Sequence, residues 1–440
     1  MTQFLARFGR GFSELNPALL ALPLLLPLAA PAQAQLLDQL INTDIPGVAN
    51  EAGVTVLSRR HPDYDSLGVH LGSFMIHPEL RESMGYDDNI LGTKSGSGSA
   101  LVETNALVRA DYDHSDATAR AVLSVDNYRF LSRDSQSYTD WTGSLSGTYD
   151  IGRDQLTASY DHLSLNQTPR DLETPQLDSP LQYRVDVLRV AYKAMFNRVF
   201  VQPGISLSNF DYDNGTVGGV RYLQTYRNRV VAMPSMTLGY ELAPQRNVVL
   251  VVRDATASYA TAAPLVAKRD FNDTSVLAGL DYDADSIWRF RVLAGFENRS
   301  FSSAQYKTIQ APIVETAVIW NPNGLTTVTG LLTRHVQDSA DETIAAFTET
   351  AFIARIDHEL QRNILLQGRA GLYDDQYTQS HGSQSLYRLG ASATWLMNRN
   401  MQLVGSYDFT GRRSASSASQ AAIGPSYNAN RFMLTLRLAL

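Results

Sequence analysis

The chain has 440 residues, of which 44% are hydrophobic and 18% charged, and it contains no cysteine. The absence of cysteine excludes a disulfide-stabilised domain, a thiolate metal site and a cysteine nucleophile. The 37 basic and 44 acidic residues give a formal net charge of -7 without a polybasic run, so we do not expect nucleic acid as a partner.

The first 34 residues have the pattern of a secretory signal peptide. Arg7 and Arg10 precede an apolar stretch over residues 18–30, and Ala-Gln-Ala at 32–34 is a small-x-small cleavage site. The alternative is a retained anchor, but the stretch is interrupted by proline and is shorter than the roughly 20 apolar residues of a membrane span. The sequence therefore predicts export, with cleavage after Ala34.

A two-residue alternation of apolar and polar side chains follows and predicts β-strands. In residues 141–149 every odd position is apolar, aromatic or glycine, and every even position carries a hydroxyl group. Residues 288–296, 401–409 and 432–440 show the same period. This is the pattern of strands with one apolar face, which occurs both in soluble β-sandwiches and in membrane barrels.

Two features favour the membrane barrel. Aromatic residues such as Trp141, Trp320 and Trp395 stand at the ends of apolar faces, as in the aromatic girdles of outer-membrane barrels. Short polar turns such as 150–154 also alternate with long polar loops such as 166–180. Short periplasmic turns and long external loops are typical of barrels in the Gram-negative outer membrane, which is the location we expect.

The pattern predicts an all-β fold, a transmembrane antiparallel β-barrel of about 18 strands. Sixteen strands is the alternative, because residues 67–76 fit either a first strand or a separate segment. We expect a periplasmic N-terminal segment at 35–66 and the barrel at 67–440. The predicted strands are 79–88, 99–112, 117–128, 138–150, 154–164, 181–194, 198–209, 226–241, 247–259, 271–282, 287–299, 309–320, 325–335, 347–360, 363–375, 385–397, 400–411 and 429–440.

The last predicted strand ends on alternating apolar residues, from Phe432 to Leu440. This ending resembles the C-terminal signal read by the barrel-assembly machinery, although Leu440 replaces the usual terminal aromatic residue. We therefore expect that machinery and outer-membrane lipid as partners.

The opposite faces of the strands carry charged residues. A charge that faces lipid at mid-bilayer costs about 2–4 kcal/mol, so these faces are expected to line a wet lumen. Two interpretations stay open: the charges pair across strands, or they form a track for an anionic or sugar-like solute. The residues expected in the lumen are Arg109, Arg184, Arg229, Arg289, Arg291, Arg355, Arg369, Arg388, Arg437, Glu103, Asp126, Asp161, Asp186, Glu297, Glu315, Asp357 and Glu359.

Catalytic and metal sites are the weaker interpretations. His162 with Ser164, or His381 with Ser383 and Ser385, could serve a rim hydrolase that acts on lipid, but no GxSxG motif surrounds either serine. The acidic stretches 87–89 and 211–215 lack EF-hand spacing and also suit ordinary turns. We therefore expect no enzyme activity, no cofactor and no metal.

The opening part of the barrel carries a family resemblance. Residues 59–65 (Arg-Arg-His-Pro-Asp-Tyr-Asp), 67–74, Pro78 and 86–90 resemble the opening segment of the second putative outer-membrane β-barrel porin family of Gram-negative bacteria. The resemblance extends from about residue 50 to the end, and beyond this segment it rests on strand rhythm. It implies a single outer-membrane barrel, with members often linked to exopolysaccharide production and export, and it supplies no catalytic residue.

The functional prediction is a porin-like channel that passes hydrophilic solutes or exported exopolysaccharide through the outer membrane. The alternatives are a non-conducting structural or adhesive barrel and the rim hydrolase. Residues 35–66 are too few for the plug of a siderophore transporter, which disfavours a TonB-dependent mechanism.

Overall fold

The computed structural model describes residues 55–57, 59, 61–172, 174, 177–264, 266–283, 285, 287–377, 382–415 and 424–440. The expected signal peptide and most of the expected N-terminal segment lie outside these residues. The described chain folds almost entirely into antiparallel strands, with two 3-10 turns at Asp134–Gln136 and Thr225–Arg227. No helix in the described part is long and apolar enough to cross a membrane.

The strands follow one another with little intervening structure. In chain order they are β1 (Val69–Leu71), β2 (Phe74–Asp87), β3 (Ser99–His114), β4 (Ala117–Phe130), β5 (Tyr138–Ile151), β6 (Asp154–Gln167), β7 (Leu181–Phe196), β8 (Val199–Tyr212), β9 (Gly215–Val217), β10 (Val220–Tyr222), β11 (Arg229–Ala243), β12 (Arg246–Tyr259), β13 (Phe271–Tyr282), β14 (Trp288–Phe301), β15 (Ile309–Asn323), β16 (Thr326–Asp338), β17 (Ala346–Gln361), β18 (Ile364–Tyr377), β19 (Ser383–Leu396), β20 (Met401–Ala415) and β21 (Tyr427–Ala439).

The strands close into a barrel. Each pairs with its neighbour, β8 pairs with β11, and β2 pairs with β21, with Glu79 opposite Ala439 at one end and Asp87 opposite Arg431 at the other. The hairpin β9–β10 stands apart from the barrel sheet, and β1 extends only the start of β2. The barrel therefore has eighteen strands, which confirms that prediction over the sixteen-stranded alternative.

Residues 67–76 belong partly to a separate short strand and partly to the first barrel strand, so each of the two interpretations holds for a part of them. Val69–Leu71 forms the short hairpin partner of β2, whereas Phe74 already belongs to β2 itself and pairs with Tyr112. The first barrel strand thus begins five residues before its predicted start.

The connections alternate between tight turns and long loops, as predicted. Three of the tight turns use backbone in the left-handed region, at Gly152, Asn197 and Gln245, with φ of 67°, 59° and 59°. Glycine and asparagine tolerate this region best, which suits the first two of these turns, whereas Gln245 adopts it without that advantage. We call the end of the barrel with these turns the turn end and the other end the loop end.

The two faces of each strand differ as the alternation requires. On β14, Val292 and Phe296 point outward and are 40% and 73% exposed, whereas Leu293 between them is fully buried on the inner side. Outward aromatic pairs mark the girdles: Trp288 stacks on Trp320 at 5.3 Å near the turn end, and Tyr407 packs on Phe432 at 4.7 Å nearer the loop end.

Candidate functional site in the barrel lumen

Most of the charged residues expected in the lumen lie on the inward face, where they alternate with outward apolar residues. Arg291, for example, stands between outward Phe290 and Val292, and its side chain is 30% exposed to the lumen. The inward residues are Arg109, Arg229, Arg289, Arg291, Arg355, Arg369, Arg388, Arg437, Glu103, Asp126, Asp161, Glu297, Glu315, Asp357 and Glu359.

Arg184 and Asp186 are different, and their expected place in the lumen is wrong. On β7 the inward positions are Tyr183, Val185 and Val187, which are buried in an apolar cluster together with Leu177 from the preceding loop. Because this loop covers the inner wall, the apolar face of β7 points inward here. Arg184 and Asp186 therefore lie on the outward face near the loop end.

The inward charges are extensively paired. Arg355 and Arg369 are direct neighbours on β17 and β18, and Arg369 reaches over β19 to place its Nη2 2.7 Å from Oδ1 of Asp408 on β20. Gly390 on β19 permits this reach, since a Cβ there would lie 2.5 Å from Oδ1 of Asp408. Arg289 pairs with Asp283 at 2.8 Å, close to the turn end. The wall is thus a lattice of ion pairs between strands.

The loop between β6 and β7 enters the lumen and reaches its far side. We call the described residues of this connection, 168–172, 174 and 177–180, the crossing loop. Its Leu172 is 3% exposed and packs against Ala351, Tyr373 and Leu386 of β17, β18 and β19, on the opposite wall of the barrel. The loop is therefore anchored at both sides of the lumen and narrows it.

Polar contacts fix the crossing loop at its far end. Arg170 pairs with the buried carboxylate of Asp87 and donates from Nη2 to Oγ1 of Thr410 at 3.3 Å. Nη1 of Arg412 donates to the carbonyl oxygen of Asp171 at 3.2 Å. Burial raises the pKa of the Asp171 carboxyl above its usual range, against the hydrogen bonds that Thr168 donates to it.

A second element closes part of the loop end. Toward the loop end, the pairing of β16 with β15 stops at Arg334. Beyond this point Val336 is fully buried against Ile309, Ala311 and Ala346. Arg299 binds this bent segment, with Nη1 2.8 Å from Oδ1 of Asp338 and Nη2 donating to the Val336 carbonyl at 2.9 Å. The bend thus carries the tip of β16 and β17 over the lumen.

A small cavity of about 40 Å³ remains between these elements at the loop end. Strand ends and the loops on either side of it supply its walls, and guanidinium groups and aromatic rings make up much of its surface. The residues that define its chemistry are Tyr212, Arg227, Arg229, Tyr259, Arg269 and Glu349.

The described part of the segment 55–66 lies inside the barrel at the turn end. Val56 is 3% exposed, packs with inward Leu365 and Leu396, and donates its N–H to Oγ1 of Thr327 at 3.0 Å. Arg59 pairs with Glu359 on β17. This stretch, called the mouth segment below, therefore covers part of the turn-end opening.

The alternative catalytic groups are not arranged for hydrolysis in the described residues. Nδ1 of His162 lies 2.6 Å from Asp186, whereas Oγ of Ser164 accepts a hydrogen bond from Gln182 at 3.1 Å. His162 and Ser164 share no hydrogen bond, so the serine lacks a base. His381 lies outside the described residues.

No cluster of three or more potential metal ligands occurs among the described residues. Asp87, the first residue of one acidic stretch, binds Arg170 and Arg431 instead.

Sequence reasoning did not identify the residues that shape the lumen most strongly. Arg170, Leu172 and the mouth segment lie outside the alternating strands, so strand periodicity carries no information about them. The signal for the crossing loop was the length of the connection between β6 and β7, and the signal for the mouth segment was the family resemblance of residues 59–65.

The chain is similar to one family model and to several solved structures. A family model described as Putative beta-barrel porin 2 matches residues 61–440. Among solved structures, Acinetobacter baumannii OccAB3 is 8% identical, with 84% of this chain and 100% of that chain covered and a TM-score of 0.44. Pseudomonas aeruginosa OpdK is 11% identical, with 83% of this chain and 99% of that chain covered and a TM-score of 0.43. A BenF-like porin from Pseudomonas fluorescens Pf-5 is 9% identical, with 84% of this chain and 100% of that chain covered and a TM-score of 0.44. No curated protein matches the chain.

Proposed function

The chain belongs to the Putative beta-barrel porin 2 family, an outer-membrane β-barrel of porin type, and on this premise we propose that it is a passive channel for small hydrophilic solutes. The turn end faces the periplasm and the loop end faces the exterior in this proposal, as is usual for barrels with short turns on one side. The solute crosses the lumen between the ion-paired walls and the crossing loop.

The observation that carries the proposal is the wet inner wall. The side chains of Arg109, Arg289 and Arg369 are 33%, 29% and 29% exposed although they lie inside a closed barrel. Inward charges with this exposure are in contact with water, which supports an aqueous path. An 18-stranded barrel is wide enough to hold one.

The crossing loop favours small solutes over a polymer. A polysaccharide chain in transit needs an uninterrupted path. The crossing loop interrupts it, because the loop starts at β6 and its Leu172 and Arg170 contact the wall on the other side of the lumen. Export of exopolysaccharide is therefore not the function that this geometry supports best.

The same proposal includes the assembly partner. Phe432 and Leu434 on the outward face of β21 are 57% and 55% exposed, and they form the apolar row expected of a C-terminal assembly signal. We infer that the barrel-assembly machinery recognises this strand and that lipid covers its outward face afterwards.

Single-channel recording of the refolded full-length barrel in planar bilayers tests the function. We expect discrete conductance steps in KCl, together with liposome swelling by monosaccharides and not by large oligosaccharides. Swelling by long oligosaccharides would favour polymer export. A folded barrel that gives no steps and no swelling would instead be structural or adhesive.

A further inference from the structure

The cavity at the loop end contains arginines that have no carboxylate partner. Nη1 of Arg227 donates to Oε1 of Gln167 at 3.0 Å and to Oε1 of Gln224 at 3.1 Å. Arg269 donates to the backbone carbonyls of Ser339, at 2.6 Å, and Asp341. Within the described residues, no acidic side chain lies within 4 Å of either guanidinium. Two buried cations are therefore held by neutral oxygen atoms alone.

Arg227 has N–H groups that make no hydrogen bond to described protein atoms. A guanidinium has five N–H groups in a planar fork, and only Nη1 of Arg227 is used by described protein atoms. The residue as a whole is 7% exposed, and its Nε and Nη2 hydrogens are available to an incoming acceptor.

Aromatic rings hold the arginine planes in place. The guanidinium of Arg227 lies 3.9 Å from the ring centre of Tyr212, and that of Arg229 lies 4.1 Å from the ring centre of Phe210. Tyr212 is itself stacked on Tyr183 at 5.2 Å. Guanidinium groups fixed in this way lose little conformational freedom when they bind a ligand.

The charge balance of the wall is positive. Arg229 is compensated by Asp338, with its Nε 2.9 Å from Oδ2. Glu349 adds one further carboxylate to the lining, against the two uncompensated arginines. The lining therefore carries one more positive than negative charge and attracts a single anionic group.

We propose that this cavity binds the carboxylate of a small anionic solute, such as a sugar acid, through Arg227 and Arg269. The inference rests on the proposed channel and names the class of solute it takes up. A cavity of about 40 Å³ has room for roughly three waters, which is the size of a carboxylate group and not of a whole sugar ring. The rest of the solute extends toward the lumen, and the fork of Arg227 binds the two carboxylate oxygens.

Calorimetric titration of the refolded full-length barrel in detergent tests the site directly, with D-glucuronate as the probe and D-glucose as its uncharged counterpart. We expect glucuronate to bind and glucose not to bind. Arg227→Gln should weaken glucuronate binding about tenfold or more, because it removes a charge-assisted hydrogen-bonding group. Arg227→Lys keeps the charge without the fork and should give an intermediate loss.

Arg221→Gln is the matched control, since Arg221 is an exposed residue of β10 and its loss changes the net charge equally. It should bind glucuronate as the unchanged protein does. Heat-modifiable mobility of each variant on gels verifies that the barrel is folded. Arg269→Gln, which also removes two contacts to the 339–345 loop, is interpreted only if it passes this check.

Conductance separates failure of the site from failure of the channel. KCl steps without glucuronate binding would overturn the anion site and leave the channel proposal intact. Equal binding of glucuronate and glucose, or equal loss in Arg227→Gln and Arg221→Gln, would also overturn it. Glucuronate binding by a barrel without KCl steps would keep the site and remove the channel.

Discussion

Arg170 and Asp87 form an ion pair although one lies in the loop after β6 and the other at the end of β2, with three strands between β2 and β6. Asp87 is fully buried and also accepts a hydrogen bond from Nε of Arg431 at 2.9 Å. One carboxylate thus ties the crossing loop to the wall at the seam where the first and last barrel strands meet. Its charge stabilises the loop across the lumen.

Replacing this carboxylate should release the crossing loop. Asp87→Asn leaves Arg170 and Arg431 without an anionic partner, and breaking a buried pair in this way costs about 3–5 kcal/mol. We expect larger and noisier single-channel currents as the loop leaves its position. Asp134→Asn removes the same charge from an exposed turn at the loop end and should conduct normally. Identical currents in the two variants would show that the loop does not limit the path.

The pH should act on the same loop through Asp171. Burial raises the pKa of this carboxyl when the loop is docked, so the docked form binds a proton more readily than the released form. Docking therefore becomes more favourable as the pH falls through the raised pKa and less favourable as it rises. We expect conductance to fall on acidification, before aspartate reaches its ordinary titration range.

Asp171→Asn mimics the protonated carboxyl and should abolish this dependence, leaving the low conductance at every pH. Currents of the two proteins, recorded over a pH series at constant KCl, give the comparison. A pH response that persists in Asp171→Asn would assign it to another group.

How far the sequence predicts the molecule depends on the range of the interactions. Strands such as β13 and β14 were placed within a residue or two, because the two-residue period of side chains is written directly into the local sequence. The direction of a face was wrong at Arg184 and Asp186, because the loop directly before β7 folds back over the inner wall and buries Tyr183 there, and the alternation within β7 does not encode this contact. Leu172 contacts Tyr373 only when the barrel is closed, because the two residues are far apart in the sequence. No local pattern therefore predicts this contact.

The orientation of the barrel can be tested with single cysteines, since the natural chain has none. Val220 is 71% exposed at the tip of the β9–β10 hairpin, and Asn398 is exposed in the turn between β19 and β20. On intact cells an impermeant maleimide should label Val220→Cys and not Asn398→Cys. Both should react after the outer membrane is permeabilised. Labelling of Asn398→Cys alone on intact cells would invert the proposed orientation.

The lipid-facing register can be tested on adjacent residues of β19. Ala393 is exposed on the outward face, and Ser392 lies on the inward face between Gln367 and Ser406 of the neighbouring strands. An arginine that faces lipid near mid-bilayer costs about 2–4 kcal/mol, whereas one in the lumen is hydrated. Ala393→Arg should lower the denaturant midpoint and the yield of folded barrel, and Ser392→Arg should leave both nearly unchanged. Equal tolerance of the two would mean that this strand is shifted by one residue.

The mouth segment should restrict the turn end through the pair of Arg59 and Glu359. Arg59 also donates to the carbonyl oxygen of Gly324. Nε2 of His61 lies 3.5 Å from Oε2 of Glu359, so the Glu359 carboxylate contacts both Arg59 and His61 and holds the mouth segment against β17. Arg59→Glu places two carboxylates together and should expel the segment, which raises conductance and exposes its backbone to protease. Arg153→Glu makes the same charge change in an exposed turn at the same end and serves as the control.

Since the apolar contact of Val56 with Leu365 and Leu396 opposes expulsion, Val56→Asp combined with Arg59→Glu should conduct most. Unaltered current in the double variant, with its N-terminal stretch cleaved by protease, would show that the segment leaves without widening the path.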